Sequence, residues 1–151
     1  MTTNALRKQK GFTIIEVVLV LAIAGLIFLI VFLALPQLQK SRRDTQRRND
    51  AGRMLAGFES YASSNNGSYP ADGASAGTAL TTYAGTMTDP STGAAYNFSN
   101  TVPNPPTAQG DVYYATGTIC NGSATTTTGA TSRNIAIVMK LENGLYCRSN
   151  Q

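Results

Sequence analysis

The chain has 151 residues, of which 42% are hydrophobic and only 13% are charged, and its formal net charge is +4. This length favours a single folded domain. Histidine is absent, which removes the commonest general base and metal ligand and argues against most hydrolase triads and zinc sites. The basic residues form two short clusters rather than a spread surface, so nucleic acid is not a predicted direct partner.

The first predicted element is an apolar helix close to the N-terminus. Val17–Leu35 contains no charged residue and is long enough to cross a hydrocarbon core. The run is too long for a secretory signal peptide and ends without a small-x-small cleavage site. We therefore expect a membrane helix over residues 12–36. Glu16 lies just inside its apolar edge, where a carboxylate either has a functional partner or is solvated among headgroups.

An amphipathic helix is predicted to follow over residues 37–64. Apolar side chains recur there with helical spacing at Ala51, Met54, Leu55, Phe58, Tyr61 and Ala62. Asn65-Asn66-Gly67 followed by Pro70 predicts its end, because Asn and Gly tolerate the left-handed conformation and proline cannot continue a helix. The two helical segments together form one long helix in this prediction.

The segment Lys40–Arg53 contains six basic and two acidic residues. Basic side chains next to a membrane helix can rest on anionic headgroups, at about 1 kcal/mol for each one. A solvated helix face is the equally simple alternative. The sequence leaves both interpretations open.

Residues 65–151 predict a small head that is rich in β-structure. Ser75–Thr107 has few strong hydrophobes and is expected to be a loop-rich connection, and Thr125–Thr128 is expected to be an exposed loop. Strand patterns occur at Val112–Thr116, Asn134–Leu141 and Leu145–Cys147. Asn143-Gly144 has the composition of a two-residue type I′ hairpin. The predicted fold class is α+β, with the amphipathic helix packed on a small antiparallel sheet.

Cys120 and Cys147 are the only cysteines, and both lie in the part expected outside the membrane. A disulfide that closes this loop of about 27 residues would stabilise the head by about 3–4 kcal/mol. A small head with little apolar content needs such a link. Two unpaired thiols are the alternative, whereas the spacing excludes a CxxC redox or metal site.

The segment Lys10-Gly11-Phe12-Thr13-Ile14-Ile15-Glu16, between a basic leader and an apolar helix, resembles the type III signal of type IV pilins and pseudopilins. The resemblance implies that a prepilin peptidase cuts between Gly11 and Phe12, removes the leader 1–11 and methylates the new Phe12 amine. It also matches Glu16 to a glutamate of that family. In an assembled filament, that carboxylate would meet the Phe12 amine of a neighbouring subunit.

The function implied by this resemblance is a structural subunit of a type IV pilus-like filament. Its partners would be copies of itself, minor pilins, prepilin peptidase and, before assembly, the membrane. The subunit would start as a single-pass membrane protein with its head outside the cytoplasm and end in an extracellular pilus. A pseudopilin of a type II secretion or DNA-uptake system carries the same signals, and Asn66–Pro70 and Asp89–Tyr96 are similar to stretches after the helix in major pseudopilins and related pilins.

Two other classes of protein fit the sequence less well. A membrane-anchored binding protein would need a constellation of pocket residues, and the head offers only scattered Tyr and Thr. An enzyme would need a nucleophile with a general base, or a pair of carboxylates. The chain has no histidine to act as the base, and the acids Asp72, Asp89, Asp111 and Glu142 are not spaced as a pair. No catalytic residue, cofactor or metal site is predicted.

Overall fold

A computed structural model describes residues 11–101, 105–122, 125–128 and 131–151. Most of the predicted leader, residues 1–10, lies outside the described residues. The architecture is α+β, as the sequence predicts, and the described part of the chain contains two helices and six strands. The chain divides into two compact units, of which the first ends at Gln39 and the second is Lys40–Gln151.

Helix α1 spans Ile14–Ser64 and contributes to both units. It ends where the sequence predicts, because Asn66 and Gly67 adopt positive φ angles of 55° and 82°. The Gly67 N–H donates to the Ala62 carbonyl at 2.7 Å and satisfies one of the last carbonyls of the helix. The predicted C-terminal signal is therefore confirmed.

In the first unit, α1 is apolar on every face, and its large hydrophobic side chains are exposed in the isolated chain. The helix contains a stretch with mean hydropathy 3.3 and is long and apolar enough to cross a membrane. It remains helical through Gly25 and Pro36. A helix with this surface requires a cover other than water.

Helix α2, Gly73–Tyr83, corrects the prediction of a loop-rich connection over Ser75–Thr107. Its start is a capping box, in which the Ser75 N–H donates to Asp72 Oδ1 at 2.7 Å and the Asp72 N–H donates to Ser75 Oγ at 3.1 Å. Ala76, Ala79 and Leu80 form its buried side. The signal was weak because this side is made mostly of alanine.

A four-stranded sheet forms the centre of the second unit, in the order β1-β2-β5-β6. Its strands are β1 Asn97–Ser99, β2 Asp111–Thr116, β5 Ile135–Lys140 and β6 Leu145–Ser149. The β2–β5 and β5–β6 pairs are antiparallel, but β1 and β2 are parallel. The sheet is thus mixed, not antiparallel as predicted, because the connection after β1 is long enough to return the chain to the same end of the sheet.

A second, two-stranded sheet pairs β3, Thr118–Asn121, with β4, Thr125–Thr128. The loop predicted over Thr125–Thr128 is therefore wrong. Threonine is β-branched and favours extended backbone, and this propensity wins once β3 offers a partner. The predicted disulfide is present, since Cys120 on β3 is bonded to Cys147 on β6 with a Cα–Cα distance of 5.7 Å.

Both faces of the four-stranded sheet are covered. One face joins the apolar side of α1 and α2 in a core that includes Met54, Leu55, Phe58, Leu80, Val112, Tyr114, Ile135, Ile137 and Met139. The alternate residues of β2 and β5 face the other way, where Tyr113, Ala115, Ala136 and Val138 pack with the disulfide. Because successive side chains of a strand point to opposite faces, every second residue packs on the helices and the residues between them pack on the side of the disulfide.

The turn between β5 and β6 differs from the predicted hairpin. The Leu141 N–H donates to the Gly144 carbonyl at 3.0 Å, and Gly144 has a φ of 100°. A type I′ turn centred on Asn143-Gly144 also needs a positive φ at Asn143, which that residue does not adopt. The physical reason is tertiary: Leu141 is buried, and the Glu142 N–H donates to Asp44 on α1.

Candidate processing and assembly site

The predicted processing segment lies immediately before α1. Gly11, Phe12 and Thr13 have no regular secondary structure and are exposed, with Phe12 90% accessible. A Cβ atom added at Gly11 would meet nothing within 4 Å. The Gly11–Phe12 peptide bond therefore lies outside the helix in exposed chain, where an endopeptidase can reach it.

Glu16 belongs to a capping box at the start of α1. The Thr13 N–H and Thr13 Oγ1 both donate to Glu16 Oε2, at 3.0 and 2.9 Å, and the Glu16 N–H contacts Thr13 Oγ1 at 3.4 Å. This pattern satisfies donors that the first turn of a helix leaves unpaired. The spacing Thr13-x-x-Glu16 is its sequence signature, and sequence reasoning missed it by considering only distant charges as partners.

The capping box uses only one oxygen of the Glu16 carboxylate. Within the described residues, Oε1 makes no hydrogen bond. One carboxylate can therefore hold the local cap and accept a further donor at the same time. Neither predicted environment of Glu16, a neighbour's amine or solvated headgroups, is tested by the isolated chain.

Arg47 is a fully buried charge of the second unit, with no exposed surface. Its Nε and Nη2 atoms donate to the two oxygens of Asp89, at 2.6 and 3.2 Å, and Asp89 is itself fully buried. This bidentate geometry is the strongest arrangement open to arginine and a carboxylate. It attaches α1 to the segment that follows α2.

Two further acids complete the surroundings of Arg47. Its Nη1 lies 3.1 Å from Asp44 Oδ1 and 3.3 Å from Glu142 Oε1. Arg43 contacts the same Glu142 oxygen at 2.7 Å, and its hydrogen bond lowers the pKa of Glu142. The network, defined as Arg43, Asp44, Arg47, Asp89 and Glu142, joins α1 to two separate loops of the head.

The protonation states of the network follow from these bonds. Burial opposes the charged form of Asp89, but hydrogen bonds from Arg47 and Ser91 outweigh it and lower the pKa of Asp89 to about 2. Burial alone would lower the pKa of Arg47, but its bonds to Asp89 raise that pKa above the usual range. Both groups are therefore charged at neutral pH.

A second buried carboxylate lies one turn further along α1. Asp50 accepts a hydrogen bond from the Tyr96 hydroxyl at 3.0 Å. Burial and the negative charge of Asp50 raise the pKa of Tyr96, so the phenol remains a donor. Tyr96 thus carries the loop after α2 back onto the helix beside the Arg47–Asp89 pair.

These contacts revise the expectations for Lys40–Arg53. Neither headgroup binding nor a solvated face describes Arg47, and the Arg43 and Arg48 side chains are also engaged, with Arg48 lying 4.7 Å from the centroid of the Tyr146 ring. Lys40 and Arg42 are exposed and form no ion pair within the described residues. A sequence signal existed, because position 47 continues the buried stripe of Ala51, Met54 and Phe58 at helical spacing.

The other acids considered at the sequence level have structural partners. Asp72 caps α2, and Asp111 accepts from Asn97 Nδ2 at 3.2 Å. Asp89 and Glu142 belong to the network around Arg47. The structure thus brings two of the four acids together, around a guanidinium rather than an open cleft.

Comparison with known proteins bears on the N-terminal segment. Residues 6–32 match the family described as the prokaryotic N-terminal methylation motif, the signal motif of type IV pilins and prepilins. No curated protein and no solved structure is significantly similar to the chain. The chain therefore carries the prepilin signal, which implies processing by prepilin peptidase, membrane association and a pilin-like or pseudopilin protein.

Arg47→Met tests the network in a fragment that spans the second unit, Lys40–Gln151. The substitution leaves Asp89 buried without its partner, so we expect the free energy of unfolding in urea to fall by about 3–5 kcal/mol. Arg42→Met removes an exposed arginine from the same helix and should change it by no more than about 0.5 kcal/mol. A fragment that begins at Ala51 lacks Arg47 and should be similarly weakened. Equal stability of Arg47→Met and the unaltered fragment would contradict this account.

The stability of the same fragment should depend on pH through Asp89. Its pKa of about 2 in the folded state is below the value of about 3.9 for an unfolded aspartate. The stabilisation is therefore present above about pH 4 and is lost as the pH falls from about 4 to about 2. Urea midpoints at pH 6 and pH 2.5 measure this loss, which should be smaller in Arg47→Met. Equal midpoints at the two pH values would refute the assignment.

Proposed function

We propose that the chain is a structural, non-enzymatic subunit of a type IV pilus-like filament, assembled from the membrane through α1. The observation that carries the proposal is the exposed apolar helix, which follows an exposed Gly11–Phe12 bond and overlaps the matched prepilin motif of residues 6–32. Lipid can cover this helix before assembly. Copies of the same helix can cover it afterwards, since packing among apolar helices removes the same surface from water.

Processing supplies the charge that assembly uses. In this proposal, residues 1–11 form the leader, and its cleavage turns Phe12 into an N-terminal amine that is then methylated and carries a positive charge. Glu16 Oε1 accepts a hydrogen bond from the Phe12 amine of a neighbouring copy, while Oε2 still accepts the hydrogen bonds from Thr13. An ion pair inside an apolar core fixes register, because a copy placed elsewhere leaves both charges unpaired.

The remaining parts of the chain have separate roles in this proposal. Residues 12–36 form the membrane and filament-core helix, residues 37–64 join it to the head, and residues 65–151 form the head with its disulfide. The head lies outside the cytoplasm before assembly and on the extracellular pilus afterwards. Partners are further copies of the chain, minor pilins and prepilin peptidase.

A pseudopilin of a type II secretion or DNA-uptake system is the second candidate. It is suggested by the weak likeness of Asp89–Tyr96 to stretches in major pseudopilins and related pilins. This segment holds the buried Asp89 carboxylate, whose Oδ1 accepts from Ser91 and Thr92 backbone N–H groups as well as from Arg47. Both candidates require the same processing and the same helix packing. They differ in the assembly to which the subunit belongs, a pilus or a secretion or DNA-uptake system.

The first experiment identifies the mature chain. Filaments sheared from producing cells should contain this protein, and its intact mass and N-terminal sequence should begin at a methylated Phe12. Cleavage at Gly11–Phe12 is expected because this bond is exposed, lies outside the helix and falls within the matched prepilin motif. A filament-free producing strain, or a mature chain that starts near Met1 or after Ala34, would overturn the proposal.

Glu16→Ala and Glu16→Gln test the assembly mechanism. Both remove the negative charge, while glutamine keeps an oxygen that can still cap Thr13. We expect processed subunit to accumulate in the membrane and filaments to be lost in both variants, because the neighbour's amine has no counter-charge. Immunoblots for processing and electron microscopy of sheared material measure the two effects.

Thr13→Ala is the matched control, because it weakens the cap and leaves the Glu16 charge in place. Its filament yield should stay well above that of both Glu16 variants. A Glu16→Gln strain with wild-type filaments would show that the cap alone, and not the charge, is needed. Wild-type filaments from Glu16→Ala would exclude a role for this side chain in assembly.

A further inference from the structure

Glu59 is an acidic side chain near Tyr69, whose pKa is raised by burial and by the negative charge of Glu59. It is exposed on α1 and makes no hydrogen bond or ion pair within the described residues. The remaining described acids of the second unit are all bonded within the chain: Asp44, Asp50, Asp72, Asp89, Asp111 and Glu142. In a head whose carboxylates are otherwise used, an unpaired one on the long helix is available to another molecule.

Arg53 presents a cation on the same helix. Its Nη2 donates to the Ala84 carbonyl at 2.9 Å, its Nη1 lies 3.6 Å from Asp50 Oδ1, and the side chain is still 53% exposed. The Asp50 carboxylate is shared with the Tyr96 hydroxyl. The guanidinium is therefore held in position by the head while donors remain open to solvent.

The spacing of these two residues suits contact between copies of one chain. Glu59 follows Arg53 by about 9 Å along the helix axis and by roughly 120° around it. The two charges thus lie on different faces at different heights. An interface that repeats into a filament must be heterologous, with one face of a copy meeting a different face of the next, and opposite charges on two faces meet this condition.

We propose that Arg53 of one copy pairs with Glu59 of the next copy along the filament, an inference that rests on the proposed function. A copy displaced by about 9 Å towards the C-terminal end of α1 brings its Arg53 level with its neighbour's Glu59. Pairing of Phe12 with Glu16 requires displacement in the same direction by about 6–10 Å, since Glu16 is helical and Phe12 and Thr13 precede the helix. One displacement therefore serves both pairs.

A cysteine pair in the full-length chain tests the contact directly. Arg53→Cys/Glu59→Cys cannot form an intrachain disulfide, because the two positions are too far apart on one helix. The native cysteines are already joined to each other. Mild oxidation of sheared filaments should give a ladder of cross-linked multimers on non-reducing gels. Each single cysteine variant should give none, and co-expression of the two singles should give dimers.

Charge reversal supplies an independent measurement. Glu59→Arg breaks no internal bond, and we expect it to lower filament yield by about fivefold or more. Adding Arg53→Glu should restore part of the yield, although it also removes the bond to the Ala84 carbonyl and places a carboxylate beside Asp50. Lys40→Glu is the control, since Lys40 is an exposed cation of the same helix without an ion pair in the described part of the chain.

The outcomes separate this inference from the proposed function. Wild-type filament yield in the cysteine pair without a ladder would overturn the contact, as would normal assembly of Glu59→Arg. If the cysteine pair does not assemble, Glu59→Arg decides, because it breaks no hydrogen bond or ion pair: a yield below that of Lys40→Glu supports the contact, and an undiminished yield refutes it. Absence of filaments from the wild-type strain would instead refute the proposed function.

Discussion

A buried arginine on a long helix is the constraint around which the head is arranged. Arg47 has no exposed surface, and a guanidinium in such a place must be matched by acids in defined positions. Asp89 supplies two oxygens from the loop after α2, and Glu142 supplies one from the β5–β6 turn. Because both loops are attached to one side chain, the apolar face of the sheet is held on α1 even though the head contains few large hydrophobes.

In the first unit it is the apolar side chains, not a buried charge, that set the requirement. They are exposed along the helix and pack into no core within the described residues. Surface of this kind has to be covered, and the prepilin motif that overlaps it indicates association with a membrane. In the proposed filament, burial of the apolar helices holds the subunits together, but this attraction is not directional and does not fix their relative height. Register must come from charges, first Phe12 with Glu16 and then Arg53 with Glu59.

Much of the organisation could be predicted from local sequence. The end of α1 at Ser64, the strands β2, β5 and β6 of the central sheet and the Cys120–Cys147 disulfide follow from turn residues, alternation and cysteine count. Helix α2 was missed because alanine gives a weak amphipathic pattern. The Thr125–Thr128 strand was missed because a polar run has no preferred face, and only its partner strand decides between loop and ladder.

The sequence by itself determined the prepilin signal, the apolar helix and the pairing of the two cysteines. The first two are contiguous segments, and the third follows from the number of cysteines. The tertiary structure alone decided that Arg47 is buried on Asp89, 42 residues away, and that β1 runs parallel to β2. It also showed which cations and acids of α1 remain for other molecules. These outcomes depend on where distant loops return to the helix, and a local pattern does not contain that information.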